Sequence, residues 1–303
     1  MLFQWYLFAF LFILYCVAKT GNQQYKIYVA GEYEGRYKWF AAMMVIAVLT
    51  YVAATRDVYF QDSISYSSAY MRTEGTWANA IKTFRESGKD RGFYTIVVLL
   101  KMLIGDHYQI YFGVIAGFCL LCVIGTYRKY SCNFFMTVFL FLASGEYVQW
   151  THNGMRQFIA VSMTFAATGF LLKKKYLQYI AVVLFASTFH ASALMMAPMC
   201  FVVRGAAWNW KSVLMIFTVV IATTSSDFLI NMVTDIMENT QYSGDISNMM
   251  TTDGTNGIRV LIFCIPPLLS LIFLRRIRAL NLPLINLCVN MSIASMGIYI
   301  VSM

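Results

Sequence analysis

The chain has 303 residues, of which 59% are hydrophobic and 12% charged, and its formal net charge is +9 at pH 7. Soluble domains carry about twice this charged fraction, so the composition excludes an ordinary soluble protein. Repeated apolar runs are long enough for helices to cross a hydrocarbon core of roughly 30 Å, and they are continuous rather than alternating, which disfavours a β-barrel. The composition therefore predicts an all-α, polytopic integral membrane protein.

The apolar runs predict about nine to eleven transmembrane helices. The first run, from Leu2 to Ala18, follows no basic segment and precedes no clear small-residue cleavage site. We therefore expect a retained span rather than a signal peptide. The predicted spans lie near residues 2–18, 39–55, 108–127, 134–150, 155–172, 177–203, 212–230, 258–274 and 283–302.

Two of the apolar runs are not expected to cross the membrane as single continuous helices. The run at 177–203 carries His190 near its middle, and we expect it to form a broken or re-entrant helix pair. The run at 92–105 is short and contains Lys101, which favours an interfacial or re-entrant helix.

The basic loops predict the orientation, because Lys and Arg are enriched in cytoplasmic loops. Basic clusters lie in segments 19–38, 128–129, 173–175 and 275–278. If all four are cytoplasmic, two long loops are external, at 56–107 and 231–257. No internal repeat is apparent, so residues 1–303 are predicted to form a single transmembrane domain.

Several function classes lack sequence support. No set of His, Cys, Asp or Glu shows metal-ligand spacing, and no phosphate-loop or dinucleotide glycine motif is present. The positive charge of a membrane protein mostly records its topology. We therefore expect no cofactor, no metal and no nucleic-acid partner.

Four polar clusters are predicted to lie on the external side: residues 55–66, residues 146–157, His190 and Arg259. Ionisable groups at membrane depth are costly and usually functional. Because all four clusters are predicted to lie on the external side of the membrane, we expect them to form a single site there.

The cluster at 146–157 suggests an anion site at a helix start. Asn153 is a suitable N-cap, and Arg156 and Gln157 follow in the first turn. A phosphate would relieve the unfavourable position of an arginine at a helix N-terminus. The alternative is that Arg156 snorkels to the interface or pairs with Glu146.

The other clusters also leave alternatives open. Arg56, Asp57 and Asp62 form either an interfacial ion pair or an anion site with a general base. Nearby Tyr59 and Tyr66 belong either to the interfacial aromatic belt or to a sugar site. His190 is a buried structural residue, a base or a donor to phosphate.

Three motifs in this order resemble the EpsG family. Arg56, Asp62 and Tyr66 form R-x5-D-x3-Y, residues 153–157 read NGMRQ, and residues 189–194 read FHASAL. The resemblance extends from about residue 40 to residue 275.

The chain departs from the family pattern before the acidic residue. The family usually has a Gly-containing stretch there, whereas this chain has Phe60 and Gln61, with Asp57 as an extra acid. Asp62 matches by spacing, and the choice between the two carboxylates stays open.

The resemblance implies a bacterial protein of exopolysaccharide, capsule or O-antigen synthesis, similar to Wzy-type polymerases and compatible with a GT-C-like fold. Such enzymes join oligosaccharide units carried on undecaprenyl diphosphate, at the external face of the cytoplasmic (inner) membrane. The expected partners are this lipid-linked oligosaccharide, membrane lipid and a chain-length regulator protein.

The implied chemistry assigns roles to the candidate residues. Cationic and polar groups are needed at the diphosphate, a base at the acceptor hydroxyl and aromatic rings at the sugars. The candidates at the diphosphate are Arg156, Arg56, Arg259, Gln157 and Asn153. The candidates for the base are Asp62, Asp57 and His190. The candidates at the sugars are Tyr66 and Tyr59. The alternatives are a flippase or transporter for the same lipid-linked oligosaccharide, and an O-antigen ligase-like transferase. A transporter would place its binding groups near the midplane and often shows inverted repeats.

Overall fold

The computed structural model describes residues 2–21, 23–29, 32–224 and 256–301. This part of the chain is mainly helical, which confirms the predicted helical membrane class. Most of the predicted external loop 231–257 and the end of the predicted span 212–230 lie outside the described residues. The chain divides into two compact units, residues 1–194 and 195–303; whether it forms one transmembrane domain stays a prediction.

The first unit begins with a helix, a two-stranded hairpin and a second helix: α1 (Leu2–Thr20), β1 (Gln24–Val29), β2 (Glu32–Tyr37) and α2 (Trp39–Ala54). Next come α3 (Ser63–Arg72), α4 (Trp77–Glu86), α5 (Arg91–Ile104), α6 (Tyr108–Tyr130), α7 (Phe134–Ala143) and the short α8 (Glu146–Val148). The last elements are a π-helix (Gln149–Asn153), α9 (Met155–Ala166), α10 (Thr168–Leu172), α11 (Tyr176–Ser187) and a 3₁₀-helix (Ala191–Met195), whose last residue already belongs to the second unit.

The second unit contains α12 (Met196–Val202), α13 (Trp210–Thr224), α14 (Gly257–Ile272), α15 (Leu274–Leu280) and α16 (Pro283–Val301). Buried Asn290 organises this unit. Its Oδ1 accepts hydrogen bonds from Trp208 N and Ser212 Oγ, both at 3.1 Å, and its Nδ2 donates to two loop carbonyls. Because both ends of the amide are satisfied, Asn290 stabilises the loop between α12 and α13.

Three stretches of helix in the described residues are long and apolar enough to cross a membrane: α6, Met155–Leu172 and Pro283–Ile300. The pair α14–α15, bent by 72°, adds a fourth if it forms one span. The predicted nine to eleven exceed this number because several predicted spans are apolar helices of 10–17 residues. The run at 177–203 is broken as predicted, since α11 ends at Ser187 and the 3₁₀-helix begins at Ala191.

The basic segment after α1 contains the hairpin, which the all-α prediction misses. β1 and β2 pair antiparallel, with Gln24 opposite Tyr37 and Val29 opposite Glu32. The stretch QYKIYV is rich in aromatic and β-branched residues, which favour strands.

The predicted external loop 56–107 is largely helical, because it contains α3, α4 and α5. Helix α4 packs against α5, and its N-cap Thr76 accepts a hydrogen bond from Asn79 N at 3.2 Å. Helix α5 has 14 residues, too few for a full crossing.

Helices α2, α6 and α9 form the centre of the first unit, with α6 packed against the other two. Small residues let α2 and α6 approach closely, since a Cβ on Gly113 would lie 3.2 Å from Ala54 Cβ. Buried Tyr147 donates a hydrogen bond to Leu49 O at 2.6 Å. This bond ties the segment after α7 to α2 and fixes the position of the following π-helix.

Candidate functional site

A buried carboxylate joins two of the predicted residues. Arg156 Nη1 lies 2.8 Å from Asp90 Oδ2, and His190 Nδ1 lies 3.5 Å from Asp90 Oδ1. The Asp90 side chain is 5% exposed, whereas those of Arg156 and His190 are 36% and 32% exposed. The buried Asp90 carboxylate therefore anchors Arg156 through a charge-assisted hydrogen bond, whereas His190 Nδ1 lies close to it without forming a hydrogen bond.

The local backbone explains how Asp90 reaches this position. Asp90 precedes α5 in the left-handed conformation, with φ 51° and ψ 40°, which aspartate tolerates better than most residues. Gly92 N then donates a hydrogen bond to Thr188 O at 2.8 Å. A Cβ on Gly92 would collide with the Thr188 hydroxyl and lie 3.1 Å from its carbonyl oxygen. Glycine thus lets the start of α5 dock beside His190.

Arg156 has further neighbours on nearby helices. Its Nη1 donates to the Tyr94 hydroxyl of α5 at 3.3 Å, and Tyr66 of α3 lines the same pocket as Arg156. Glu146 instead accepts a hydrogen bond from Trp150 Nε1. The carboxylate that holds Arg156 therefore comes from the start of α5 and not from the adjacent turn.

Arg156 lines a cleft of about 330 Å³, which we call the Arg156 cleft. Exposed Asp62, at the start of α3, and half-buried Tyr66 line the same cleft. The remaining lining residues are Ser65, Ala69, Tyr70, Thr73, Phe93, Tyr94, Val97 and Tyr111. Residues from two of the predicted clusters therefore share one cleft, and His190 lies near Asp90, the partner of Arg156.

Arg56 is buried and connects three elements. It donates to Thr151 O and, at 3.0 Å, to Met155 Sδ, while its guanidinium lies 3.7 Å from the centroid of the Phe112 ring. Burial lowers the pKa of Arg56 to about 10, so the group remains cationic at neutral pH. Arg56 thereby links the end of α2 to the π-helix, α6 and α9.

A second cleft, of about 640 Å³, lies beside Arg56 and is called the Arg56 cleft. Asp57 lines it and accepts a hydrogen bond from Tyr59 N at 2.9 Å. Asp57 and Asp62 therefore line different clefts, and only Asp62 shares a cleft with Arg156. Tyr59 itself is 82% exposed.

His152 lines the Arg56 cleft but is itself buried. Its Nδ1 lies 2.7 Å from Thr151 Oγ1. Burial, together with the nearby charge of Arg56, lowers the pKa of His152 to about 4. His152 is therefore neutral at pH 7.

The prediction that Asn153 caps the next helix is wrong. Asn153 ends the π-helix, and Gly154 precedes α9 without a side-chain capping bond. Because the chain stays helical through the polar stretch, Asn153 does not adopt the extended conformation that a capping residue needs. Gln157 lies half-buried in the first turn of α9, and its Oε1 would lie 3.6 Å from a Cβ on Gly154.

Arg259 lies in the first turn of α14, in the second unit. That helix starts after Asn256, whose Oδ1 accepts a hydrogen bond from Ile258 N at 2.9 Å. The residues gathered around Asp90 all belong to the first unit. A role for Arg259 in the same site stays a prediction.

Sequence reasoning missed Asp90, Gly92 and Tyr94. In SGKDRGFY (87–94) the charged residues resemble a solvated loop. The available signal was an acidic residue directly before an apolar helical run, a typical helix start. Its pairing with Arg156 depends on contacts between residues that are far apart in the chain.

The EpsG family model matches residues 38–303. The chain belongs to the EpsG family. This EpsG-family protein is a multi-pass helical membrane protein, and the matched region contains Asp90, Arg156 and His190. No curated protein and no solved structure gives a significant match.

The arrangement can perform two chemical tasks. An arginine fixed by a buried carboxylate and open to a cleft can bind a phosphate through charge-assisted hydrogen bonds. The Asp62 carboxylate in the same cleft can accept a proton from a hydroxyl group. Among the described residues, no three His, Cys, Asp or Glu side chains form a group suited to a metal ion.

Proposed function

We propose that this EpsG-family protein is a membrane glycosyltransferase that polymerises oligosaccharide repeat units carried on undecaprenyl diphosphate, as a Wzy-like polymerase does. Transfer takes place at the external face of a bacterial cytoplasmic membrane. The observation that carries the proposal is the Arg156 cleft, in which an anchored cation, a carboxylate and aromatic hydroxyl groups lie together.

The proposed reaction is direct transfer of the growing chain. The oxygen of an acceptor sugar hydroxyl forms a bond to the anomeric carbon of the donor, while the bond from that carbon to the diphosphate oxygen breaks. The electron pair leaves with the diphosphate, and the hydroxyl proton passes to the base. Because the donor is already activated by its diphosphate, no nucleotide is required.

Arg156 stabilises the negative charge that develops on the departing diphosphate. Its pairing with Asp90 at 2.8 Å fixes the guanidinium before the donor arrives, which reduces the cost of ordering this long side chain on binding. Tyr66 lines the same cleft as this guanidinium and is proposed to contact the sugar. Asp90 is thus a positioning residue.

Asp62 is the proposed general base. It is exposed at the start of α3 and lines the cleft that holds Arg156. Asp57 is a weaker candidate, since it lines the Arg56 cleft and accepts a hydrogen bond from its own turn. His190, whose Nδ1 lies 3.5 Å from Asp90 Oδ1, is proposed to donate a hydrogen bond from Nε2 to the diphosphate.

The cations of the chain replace a metal ion in this mechanism. Gln157 and Asn153 are proposed polar contacts to the diphosphate, whereas roles for Arg56, which is buried beside the other cleft, and for Arg259, in the second unit, stay predictions. If EDTA abolished transfer and a divalent cation restored it, this part of the mechanism would be wrong. A chain-length regulator protein is a further proposed partner, which would explain a defined distribution of polymer lengths.

The test in cells is a deletion complemented separately by wild type, Arg156→Ala, Asp62→Ala and, as a control, Lys82→Ala. Lys82 is 69% exposed on α4, outside the proposed site. We expect Arg156→Ala and Asp62→Ala to abolish polymer while single repeat units still reach the surface. Normal polymer lengths in both variants would refute the site.

The same experiment separates the alternatives. Retention of lipid-linked units at the cytoplasmic face would indicate a flippase. Accumulation of long polymer on undecaprenyl diphosphate, without transfer to a final acceptor, would indicate a ligase.

A further inference from the structure

A polar cleft of about 470 Å³ lies next to the Arg156 cleft and is called the α4–α5 cleft. Thr73, Tyr94 and Val97 line both clefts. The other residues that line it are Arg72, Glu74, Asn79, Thr83, Ser87 and Val98. Its volume lies within the range of small-molecule pockets in proteins.

The chemistry of the α4–α5 cleft differs from that of an anion site. It contributes the hydroxyl groups of Thr73, Thr83 and Ser87 together with the amide of Asn79. Its two charged residues, Arg72 and Glu74, have opposite signs, so the formal charge of the lining is zero. Such a surface matches the many uncharged hydroxyl groups of a sugar, whereas a phosphate would need an excess of cations.

The rim of this cleft is fixed before any ligand binds. Asn79 Nδ2 donates to Glu74 O at 2.7 Å, and Thr76 Oγ1 accepts from Asn79 N at 3.2 Å. These bonds hold the turn between α3 and α4 against the start of α4. A rigid rim lowers the entropy lost when a flexible oligosaccharide binds.

Tyr94 connects the two clefts. Its hydroxyl accepts a hydrogen bond from Arg156 Nη1 at 3.3 Å, and the side chain is 40% exposed. An exposed aromatic residue offers an apolar face to a sugar ring and a polar tip to its hydroxyl groups. A sugar chain in the α4–α5 cleft would therefore end beside the residue that binds the diphosphate.

We infer that the α4–α5 cleft binds the uncharged sugars of the acceptor repeat unit and directs its terminal hydroxyl past Tyr94 towards the Arg156 cleft. This inference rests on the proposed glycosyl transfer and adds the location of the acceptor. The donor is held by its diphosphate at Arg156, while the acceptor is held by neutral hydrogen bonds to α4 and its flanking turns.

The test uses an acceptor that cannot act as a donor: the repeat-unit oligosaccharide as a synthetic alkyl glycoside without diphosphate. Purified protein in liposomes is supplied with undecaprenyl-diphosphate-linked donor, and the KM for each substrate is measured separately. One variant combines Thr83→Val and Ser87→Ala, which keep the side chains similar in size. A second variant carries Asn79→Ala alone. Lys82→Ala on the same helix is the control.

We expect the Thr83→Val, Ser87→Ala variant to raise the KM for the alkyl glycoside about tenfold, as two lost hydrogen bonds would. When the alkyl glycoside saturates the acceptor site, the KM for the donor should change less than twofold. Lys82→Ala should change neither KM. A rise in the donor KM alone would show that the cleft holds donor sugars and would overturn the inference. Unchanged KM values in all variants would overturn it as well.

Direct binding separates failure of this inference from failure of the proposed function. Binding of the alkyl glycoside to the wild-type protein is followed by saturation-transfer NMR, without donor. If wild type binds the glycoside without transferring sugars, and the variant loses this binding, the acceptor site in the α4–α5 cleft is supported and the proposed reaction is refuted. If wild type transfers sugars but the variant binds the glycoside equally well, the cleft assignment fails alone.

Discussion

Removing the charge of Asp90 tests the arrangement of the site most sharply. At an effective dielectric constant of about 20, opposite charges at the 2.8 Å separation of Asp90 and Arg156 attract by about 6 kcal/mol. Desolvation of buried Asp90 offsets much of this attraction. Arg156 is also 36% exposed, so solvent screens the pair further. We expect Asp90→Ala to lower the free energy of unfolding by about 1–3 kcal/mol.

The effect on activity should be larger than the effect on stability. Loss of the anchor leaves Arg156 without a fixed orientation, and such misplacement commonly costs about 100-fold in rate. We expect about a 100-fold loss of transfer in Asp90→Ala and about a tenfold loss in Asp90→Asn, which keeps a polar group of the same shape. The assay is transfer in liposomes, with a thermal melt of each variant in detergent.

A double-mutant cycle separates the anchoring role from a general loss of structure. If Asp90 acts through Arg156, combining Asp90→Ala with Arg156→Ala should cost little more than Arg156→Ala alone. Full additivity of the two losses, or wild-type transfer by a folded Asp90→Ala protein, would refute the reasoning.

Three further changes have definite expected outcomes. Gly92→Ala should force Thr188 away from α5 and lower both the melting temperature and the rate of glycosyl transfer. Wild-type values of both in this variant would contradict the contact between the start of α5 and Thr188. Arg56→Ala should destabilise the protein by about 2–4 kcal/mol, because it removes a cation–π contact and the donor to a buried carbonyl; a melting temperature equal to that of wild type would exclude this structural role. Burial and the charge of Arg56 lower the pKa of His152 from 6.5 to about 4. As the pH falls, the unfolded chain therefore binds a proton at His152 before the folded protein does. The free energy of unfolding should fall by about 3 kcal/mol between about pH 6.5 and about pH 4. Melting curves between pH 4 and 7 check this, since His152→Gln should flatten the dependence, and an equally steep dependence in that variant would assign it to other groups.

The helical membrane class could be predicted from composition, because long continuous apolar runs are typical of helices that cross a membrane. The break in the 177–203 run could also be predicted, since His190 interrupts an apolar stretch that is too long for a single simple span. The hairpin at Gln24–Tyr37 was missed because its strands are short and lie beside membrane segments. The π-helix was missed because it depends on tertiary contacts such as that of Arg56 with Thr151.

The site was predictable in its exposed parts and not in its anchor. Arg156 and His190 stand out because they interrupt apolar sequence, and Asp62 and Tyr66 form a spaced motif with Arg56. Asp90 lies in a charged stretch that resembles any solvated loop, and its position beside Arg156 depends on tertiary contacts such as that of Gly92 with Thr188. Sequence reasoning also treated Arg56 as a ligand residue, whereas its contacts in the fold are internal.

The most direct test of the central proposal is polymerisation by the purified protein alone. Protein in liposomes is supplied only with the undecaprenyl-diphosphate-linked repeat unit, in the absence of nucleotides, and the products are separated by length. The proposed mechanism predicts chains of several repeat units and release of undecaprenyl diphosphate by wild type, with neither product formed by Arg156→Ala. Equal product lengths from wild type and a folded Arg156→Ala variant would contradict this mechanism. It would also be contradicted if folded wild-type protein moved the lipid-linked unit across the bilayer without elongating it.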